Sequence, residues 1–145
     1  MLQQLTTDLL ELGSPEKAAF LSRFFKTGEG QYGEGDVFLG ITMPEIREIV
    51  KKYPTLLLEE WTELLQSPFH EFRMAALIGL MKRFQKAKKD ERTQQLIFDI
   101  YLSNLHKINN WDLVDVTCRD IIGAFLLDKD RSILYELAVQ PHLWS

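Results

Sequence analysis

The sequence predicts an all-α fold. Side chains that cap helices precede apolar runs, the apolar residues recur at steps of three and four, and no segment shows the sustained alternation of a strand. A chain of 145 residues, 46% of them apolar, is long enough to bury a core of its own. We therefore expect a single helical domain over residues 1–145.

Capping residues indicate where each helix begins. Ser14 and Pro15 supply a cap and a first-turn proline. The segment Thr42-Met-Pro-Glu45 matches a capping box, in which the glutamate reaches back to the cap amide. Pro54 ends the helix that this box begins. The later starts are predicted at Thr55, Ser67, Asp90, Asn109 or Asn110, Asp130 and Pro141.

The predicted helices form pairs joined by short turns, at 43–53 with 55–66, 68–86 with 90–105, and 111–127 with 131–139. In the middle pair, the spacing of proline, arginine and aliphatic residues resembles that of HEAT repeats, and these residues are Pro68, Arg73, Ala76 and Leu80. A two-helix unit cannot bury its apolar face alone. We therefore expect a HEAT-like helical-repeat solenoid, an alpha-alpha superhelix of antiparallel helix pairs. A helical bundle is the alternative.

The most informative short segment is the one that contains Trp111 and Asp115. Asn109 or Asn110 can cap the helix that Trp111 opens. The four-residue spacing then puts an indole beside a carboxylate on one helical face. Such a pair can hold an electron-poor ring and stabilise a positive charge next to it. A buried tryptophan beside a solvated aspartate is the structural alternative.

Charge is spread unevenly along the chain. The net charge of −4 argues against a protein held on nucleic acid mainly by phosphate attraction. Residues 41–89 nevertheless carry nine basic and six acidic side chains. We predict that a basic strip between Lys82 and Arg92 contacts phosphates. A solvated helix end and turn is the alternative.

Two other kinds of site are excluded by their context. Gly28-Glu-Gly-Gln-Tyr-Gly33 matches the glycine pattern of dinucleotide sites, but it follows a helix rather than a strand and lies among acidic residues. We expect a connector that turns sharply there. The three histidines, His70, His106 and His142, are far apart and show no metal-ligand spacing, so no metal site is predicted.

The cellular location follows from what the chain lacks. No run approaches the ~18 apolar residues of a membrane span, and the N-terminus lacks the basic start of a signal peptide. The single cysteine, Cys118, excludes an intramolecular disulfide and fits a reducing compartment. It lies on an apolar helix face, so we expect a buried side chain rather than a nucleophile. A cytoplasmic protein is predicted.

Four segments occur in a fixed order along the chain, at Phe25–Asp36 (FKTGEGQYGEGD), Phe38–Pro44, Ser67–Arg73 and Asn109–Asp115. Together they resemble the DNA alkylation repair family of HEAT-like-repeat glycosylases. The resemblance runs from about Leu9 to Trp144 and therefore spans nearly all of the chain. It implies an α-helical solenoid whose concave face holds duplex DNA.

The resemblance implies an activity and its residues. Members of the family hydrolyse the N-glycosidic bond of cationic alkylated purines, such as 3-methyladenine and 7-methylguanine, without a metal or an organic cofactor. By their places in the motif, Asp115 would be the catalytic carboxylate and Trp111 the aromatic wall. Asp112 is the rival carboxylate, but it lies about 100° from Trp111 around the helix, whereas Asp115 lies about 40° away. Arg119 would lie on the side of Asp115 and could pair with it.

The implied partner is double-stranded DNA with alkylated bases, bound by a monomer that contacts no membrane. The predicted DNA-binding residues are Lys82, Arg83, Lys86, Lys88, Lys89 and Arg119. In the family, an arginine and a further tryptophan of the active surface follow the position of Ser145. We therefore expect the chain to be the N-terminal portion of a longer family fold, with little excision on its own. A non-catalytic DNA-binding protein and a HEAT-type protein-interaction scaffold are the alternatives.

Overall fold

The computed structural model describes residues 1–145 and is all-helical. It contains no β-strand, and its isolated bridge is a parallel one between Val37 and Phe69. The predicted all-α class is confirmed, and it agrees with a helical-repeat fold. The elements are α1 (Leu2–Glu11), α2 (Pro15–Phe24), α3 (Met43–Lys51), α4 (Leu58–Leu65), α5 (His70–Lys86), α6 (Glu91–Ser103), a 3-10 turn (Leu105–Lys107), α7 (Trp111–Cys118), a π-helical segment (Arg119–Gly123), α8 (Ala124–Leu126) and α9 (Ser132–Ala138).

Several helices begin at the capping residues predicted from the sequence. The Ser14 hydroxyl accepts a hydrogen bond from the Lys17 amide at the start of α2. The capping box of α3 is complete, since the Thr42 amide donates to the Glu45 carboxylate at 2.7 Å and the Glu45 amide donates to the Thr42 hydroxyl at 3.4 Å. Asp90 caps α6 through the Thr93 amide. These starts depend on local contacts alone, which explains why the sequence predicts them.

Two predicted starts are displaced along the chain. The helix expected from Thr55 begins at Leu58, because the Glu60 carboxylate accepts the Leu57 amide at 2.8 Å and fixes the start there. The helix expected from Ser67 begins at His70. Its first amide donates to the Val37 carbonyl at 2.8 Å, which is a long-range contact that no local pattern announces.

The two ends of the chain also differ from expectation. α1 was not predicted from the sequence, yet it buries Leu5 and Leu9 and packs against α3. The helix predicted from Pro141 is wrong, because residues 141–145 form bends and a turn closed by the Ser145 amide on the His142 carbonyl. A segment of this length gains too few hydrogen bonds to offset the cost of helix nucleation.

The chain divides into two compact units, Met1–Gly79 and Leu80–Ser145. The first unit buries the apolar faces of α1, α3 and α4. In the second unit, α6 packs against α8 and the π-helical segment, and the rings of Phe98 and Phe125 lie 4.4 Å apart between centroids. The single domain expected over residues 1–145 stays a prediction.

A buried ionic cluster fixes the glycine-rich connector onto the start of α5. The Asp36 carboxylate accepts hydrogen bonds from the Arg73 guanidinium and from Nδ1 of His70, the latter at 2.6 Å. The same guanidinium donates to the carbonyls of Ser67 and Pro68. All three charged side chains of the cluster are buried. Arg73, which the sequence placed in a HEAT-like pattern, therefore joins the connector to the turn before α5.

A second buried carboxylate holds the end of the connector. Glu71 accepts the amides of Leu39, Gly40 and Ile41 at 2.7 to 3.1 Å. Gly40 has a φ of +84°, and a Cβ atom there would lie 2.0 Å from the Ser14 carbonyl oxygen. Only glycine fits this position. The sharp turn expected before Val37 is a separate feature, formed at Gly30 and Gly35, which have φ values of +74° and +80°.

Trp61 of α4 packs directly on the backbone of α5. A Cβ atom added to Gly79 would lie 2.5 Å from Cε2 of the Trp61 indole, which is 2% exposed. The glycine therefore creates the space that the ring fills. Gly123 in the π-helical segment differs, because an added Cβ would meet only the Cys118 carbonyl oxygen, at 3.9 Å.

We expect the same substitution to have opposite effects at these two glycines. Gly79→Ala should lower the free energy of unfolding by about 1–3 kcal/mol, because the enclosed indole cannot move away. Gly123→Ala should raise it by about 0.5–1 kcal/mol, because alanine loses less backbone entropy in a helix. Urea unfolding of both variants measures the difference. A Gly79→Ala protein as stable as the unmodified one would contradict the packing of Trp61.

Candidate functional site

The helix that carries Trp111 and Asp115 begins at a buried asparagine. Asn110 is the cap, with extended backbone angles, and its side-chain oxygen accepts the Trp111 amide at 2.9 Å. Of the two caps left open by the sequence, Asn110 is the one used. Because Asn110 is fully buried, the start of α7 is fixed in the interior of its unit.

The Trp111 ring is not enclosed in the core. Its side chain is 37% exposed, whereas Trp61 is the buried tryptophan of α4. The aliphatic side chains of α7 that fill the core lie elsewhere on the helix, with Leu113 fully buried. The indole therefore presents part of its surface to solvent at the first turn of α7, which is a position where a ligand can reach it.

Asp115 is exposed on the same side of α7 and makes no hydrogen bond or ion pair within the chain. Asp112 differs, because its carboxylate accepts the Leu113 amide at 2.8 Å in the first turn. An aspartate in that position stabilises the helix start and is engaged by it. Of the two carboxylates, Asp115 is the one whose oxygens remain available to a ligand.

The opposite side of α7 is held by a chain of buried hydroxyls. The Thr117 hydroxyl donates to the Leu113 carbonyl at 2.6 Å and lies 3.0 Å from Oη of Tyr101, a residue of α6. Both Tyr101 and Thr117 are buried. This contact fastens α7 to α6 through the face that points away from Asp115.

Arg119 does not pair with Asp115, contrary to the expectation from helical spacing. Its Nε donates to the Asp120 carboxylate at 3.0 Å, and the rest of the Arg119 side chain is exposed. Arg119 is also the first residue of the π-helical segment, where the four-residue register of α7 ends. The neighbouring Cys118 thiol is half-buried, and burial raises its pKa, so it is a poor nucleophile at neutral pH.

The predicted basic strip lies at the end of α5 and in the turn that leads to α6. Lys86, Lys88 and Lys89 are exposed and make no ion pair within the chain. Lys82 and Arg83, one turn earlier, are half-buried. Cations at a helix C-terminus stabilise it, and the three exposed ammonium groups also remain available to an external anion. Arg119 lies in a different element, the π-helical segment.

The ionic cluster of Asp36, His70 and Arg73 was missed by the analysis of the sequence. Its members come from segments more than 30 residues apart, so no spacing rule links them. The ring of Phe38 stacks on both Phe25 and His70, and the Phe25 ring is tilted against His70. The sequence contains one signal for this cluster, which is the aspartate directly after the glycine-rich run. The Asp36 carboxylate binds both His70 and Arg73, and these contacts hold the connector on the start of α5.

Other classes of site find no support in the geometry. No group of three or more His, Cys, Asp or Glu side chains converges as a metal site would require. Burial, and after it the charge of His106, lowers the pKa of His142. None of the helices combines the length and the apolar composition that crossing a bilayer requires.

Comparison with known proteins gives one match. Residues 5–145 match a family model described as "DNA alkylation repair enzyme". No similar curated protein and no similar solved structure was found. The matched region includes the helix with Trp111 and Asp115, the basic strip and the glycine-rich connector.

Proposed function

This chain belongs to the DNA alkylation repair enzyme family, and we propose that it releases cationic alkylated purines from duplex DNA by hydrolysing their N-glycosidic bonds. The observation that carries the proposal is the exposed pair on α7. Trp111 is partly open to solvent, and Asp115 beside it has no partner within the chain. A carboxylate and an aromatic face on one rigid support suit a substrate that is positively charged.

The chemistry requires little acid catalysis. A purine alkylated at N3 or N7 already carries a positive charge, so it leaves as a neutral base without further protonation. The barrier lies in the sugar, which gains oxocarbenium character as the bond to the base breaks. The Asp115 carboxylate stabilises that charge and orients the water that attacks the sugar. In this scheme, stabilising the oxocarbenium charge and orienting the water both require a carboxylate that is not paired with a cationic side chain of the protein.

The aromatic side chain contributes by contact. The face of an indole attracts cations, by about 0.5–1 kcal/mol at an exposed site and ~2 kcal/mol when water is excluded. Trp111 therefore favours the cationic lesion over an unmodified purine and covers one side of the deoxyribose. The exposed lysines of the strip, Lys86, Lys88 and Lys89, bind backbone phosphates and hold the duplex. The reaction proposed here uses neither a metal nor an organic cofactor.

The test of this function compares two lesions in one duplex sequence. A version of the protein extended to full family length is incubated with DNA containing 7-methylguanine, which is cationic, or hypoxanthine, which is neutral, in the presence of EDTA. We expect free 7-methylguanine and an abasic site from the first duplex and no release from the second. Binding without release would favour a non-catalytic DNA-binding protein instead.

A protein-interaction scaffold is the second candidate, and one observation favours it. α9 contains no buried residue, its Tyr135 is 79% exposed, and Val139, which directly follows the helix, is 82% exposed. Exposed apolar clusters of this kind mark surfaces that bind other proteins. Absence of any affinity for DNA at low salt would select this candidate over the glycosylase.

We expect the basic strip to control DNA affinity without sequence preference. Reversing Lys86, Lys88 and Lys89 to glutamate should weaken binding to all duplexes equally and reduce the slope of log affinity against log salt by about three, one unit for each lost phosphate contact. Fluorescence anisotropy at several salt concentrations measures both quantities.

The matched control reverses Lys17, Lys51 and Lys52, which changes the net charge equally but leaves the strip intact. We expect a smaller loss of affinity and an unchanged salt slope for this variant. If the two triple variants behave alike, the strip has no special role and only total charge matters.

A further inference from the structure

We propose that Tyr101 and Thr117 are positioning residues for the α7 site, because their hydrogen bond fixes the rotation of α7 and so the direction in which Trp111 and Asp115 point. The inference rests on the function proposed above, and it assigns a role to two buried side chains that lie outside the site itself.

The order of donors in this contact is determined by the neighbouring carbonyl. The Thr117 hydroxyl has one proton, and it donates that proton to the Leu113 carbonyl at 2.6 Å. The oxygen of Thr117 must therefore accept from Tyr101, whose Oη lies 3.0 Å away. The Tyr101 phenol of α6 thus donates to the Thr117 hydroxyl on the buried face of α7. A hydrogen bond is directional, so this contact resists rotation of the helix more than apolar packing does.

The position of Thr117 on the helix gives this bond its effect. At about 100° per residue, Thr117 lies about 200° from Asp115 around the axis of α7, which is almost the opposite side. Leu113 and Thr117 are both fully buried and define the inner face. Any rotation that breaks the contact with Tyr101 therefore turns Asp115 and Trp111 by the same angle on the outer face.

The π-helical segment makes an anchor within α7 necessary. A π turn contains one residue more than an α turn, so the faces of the helix before and after it are offset by about 100°. Residues after Gly123, such as Phe125, pack in the core of the unit. That packing therefore acts on a helical face that is offset from the one that carries Thr117. Tyr101 contacts α7 before the π segment begins.

Burial raises the pKa of Tyr101. The phenol therefore stays protonated, and remains a donor, throughout the pH range in which the protein is folded. Both hydroxyl groups are inaccessible to substrate, so neither of them is a catalytic group. Their effect on the reaction passes entirely through the orientation of α7.

The experiment removes each hydroxyl without changing the shape of the core. Thr117→Val and Tyr101→Phe delete one partner each, and Thr117→Ser is the matched control that keeps the hydroxyl. For each variant, kcat and KM are measured on duplex DNA containing 7-methylguanine. The indole N–H resonance of Trp111, identified by its loss in Trp111→Phe, is followed by NMR in the free protein.

We expect Thr117→Val and Tyr101→Phe to lower kcat by about 10-fold or more, since a displacement of ~1 Å at a reacting group can cost ~100-fold. KM should stay nearly constant, because DNA is held by other residues. Both variants should shift the Trp111 resonance, whereas Thr117→Ser should keep the resonance and the kcat of the unmodified protein. An unchanged resonance in the two deletion variants would overturn the proposal, as would an unchanged kcat.

The NMR measurement separates this proposal from the proposed function. If a version of the protein extended to full family length releases no base, the function fails, and the Trp111 resonance alone decides the positioning role. A shift in Thr117→Val and Tyr101→Phe but not in Thr117→Ser then still supports it. A uniform loss of stability, with no shift at Trp111, would reduce the contact to an ordinary core hydrogen bond.

Discussion

In a version of the protein extended to full family length, replacing Asp115 with asparagine is expected to slow the release of 7-methylguanine by about 100- to 1,000-fold, a loss of ~2.7–4 kcal/mol of transition-state stabilisation. The substitution keeps the shape of the side chain and removes the anion that faces the developing oxocarbenium ion. Asp115 has no partner within the chain, so the fold should not suffer. Affinity for the duplex should stay nearly the same, since the loss concerns the transition state.

The matched control is Asp112→Asn, three residues earlier on the same helix. Its carboxylate accepts the Leu113 amide at the start of α7, and it points about 100° away from Trp111. We expect a modest loss of stability and a much smaller loss of activity. Single-turnover kinetics with saturating protein measures the chemical step for both variants. If Asp112 is the sensitive position and Asp115 is not, the catalytic carboxylate has been assigned wrongly.

Replacing Asp36 with asparagine is expected to lower the free energy of unfolding by about 3–5 kcal/mol at neutral pH, because it leaves the Arg73 guanidinium buried without its counter-charge. The single amide oxygen of asparagine can accept from His70 or from Arg73 in place of the two carboxylate oxygens that they use now. Asp128→Asn is the matched control, because that carboxylate is exposed and its contact with Lys129 at 3.4 Å should contribute less than ~1 kcal/mol. Chemical unfolding of the two variants gives the comparison.

The same cluster should make stability depend on acidity. Burial by itself would raise the pKa of Asp36, but the hydrogen bond and charge of His70 and then the charge of Arg73 outweigh it, so the pKa is lowered. The stabilisation is therefore present above the unfolded-state pKa of about 3.9 and is lost as the pH falls through the lower folded value. Asp36→Asn should lack this loss below about pH 4, and equal acid sensitivity of the two proteins would count against the cluster.

The features that the sequence predicts depend on residues that are close together in the chain, and the features that it misses depend on residues that are far apart. The Asn110 cap and the capping box at Thr42 form within one turn, so the identity of neighbouring residues suffices. Arg119 obeys the helical spacing in sequence but pairs with Asp120, its neighbour along the chain, which helical spacing alone does not predict.

Long-range contacts mark the limit of the sequence patterns. The Val37 carbonyl fixes the start of α5 from more than 30 residues away, and Glu71 binds amides at a similar distance. Neither contact leaves a periodic trace in the chain. The exposure of Trp111 also depends on residues that are distant in sequence. Helical spacing predicts which residues of α7 lie beside Trp111, but not whether other elements cover its ring.

The anchoring of the connector by Glu71 has a consequence for the tolerance of the chain to altered loop length. Residues 39–41 are not helical, and loops between helices usually tolerate an insertion. Their three amides converge on one buried carboxylate, and Gly40 lies against the backbone of α2. One added residue would withdraw at least one amide from that carboxylate. At Gly30 an added Cβ atom would meet nothing within 4 Å, and residues 28–31 are exposed, so we expect this tip of the connector to tolerate an insertion better.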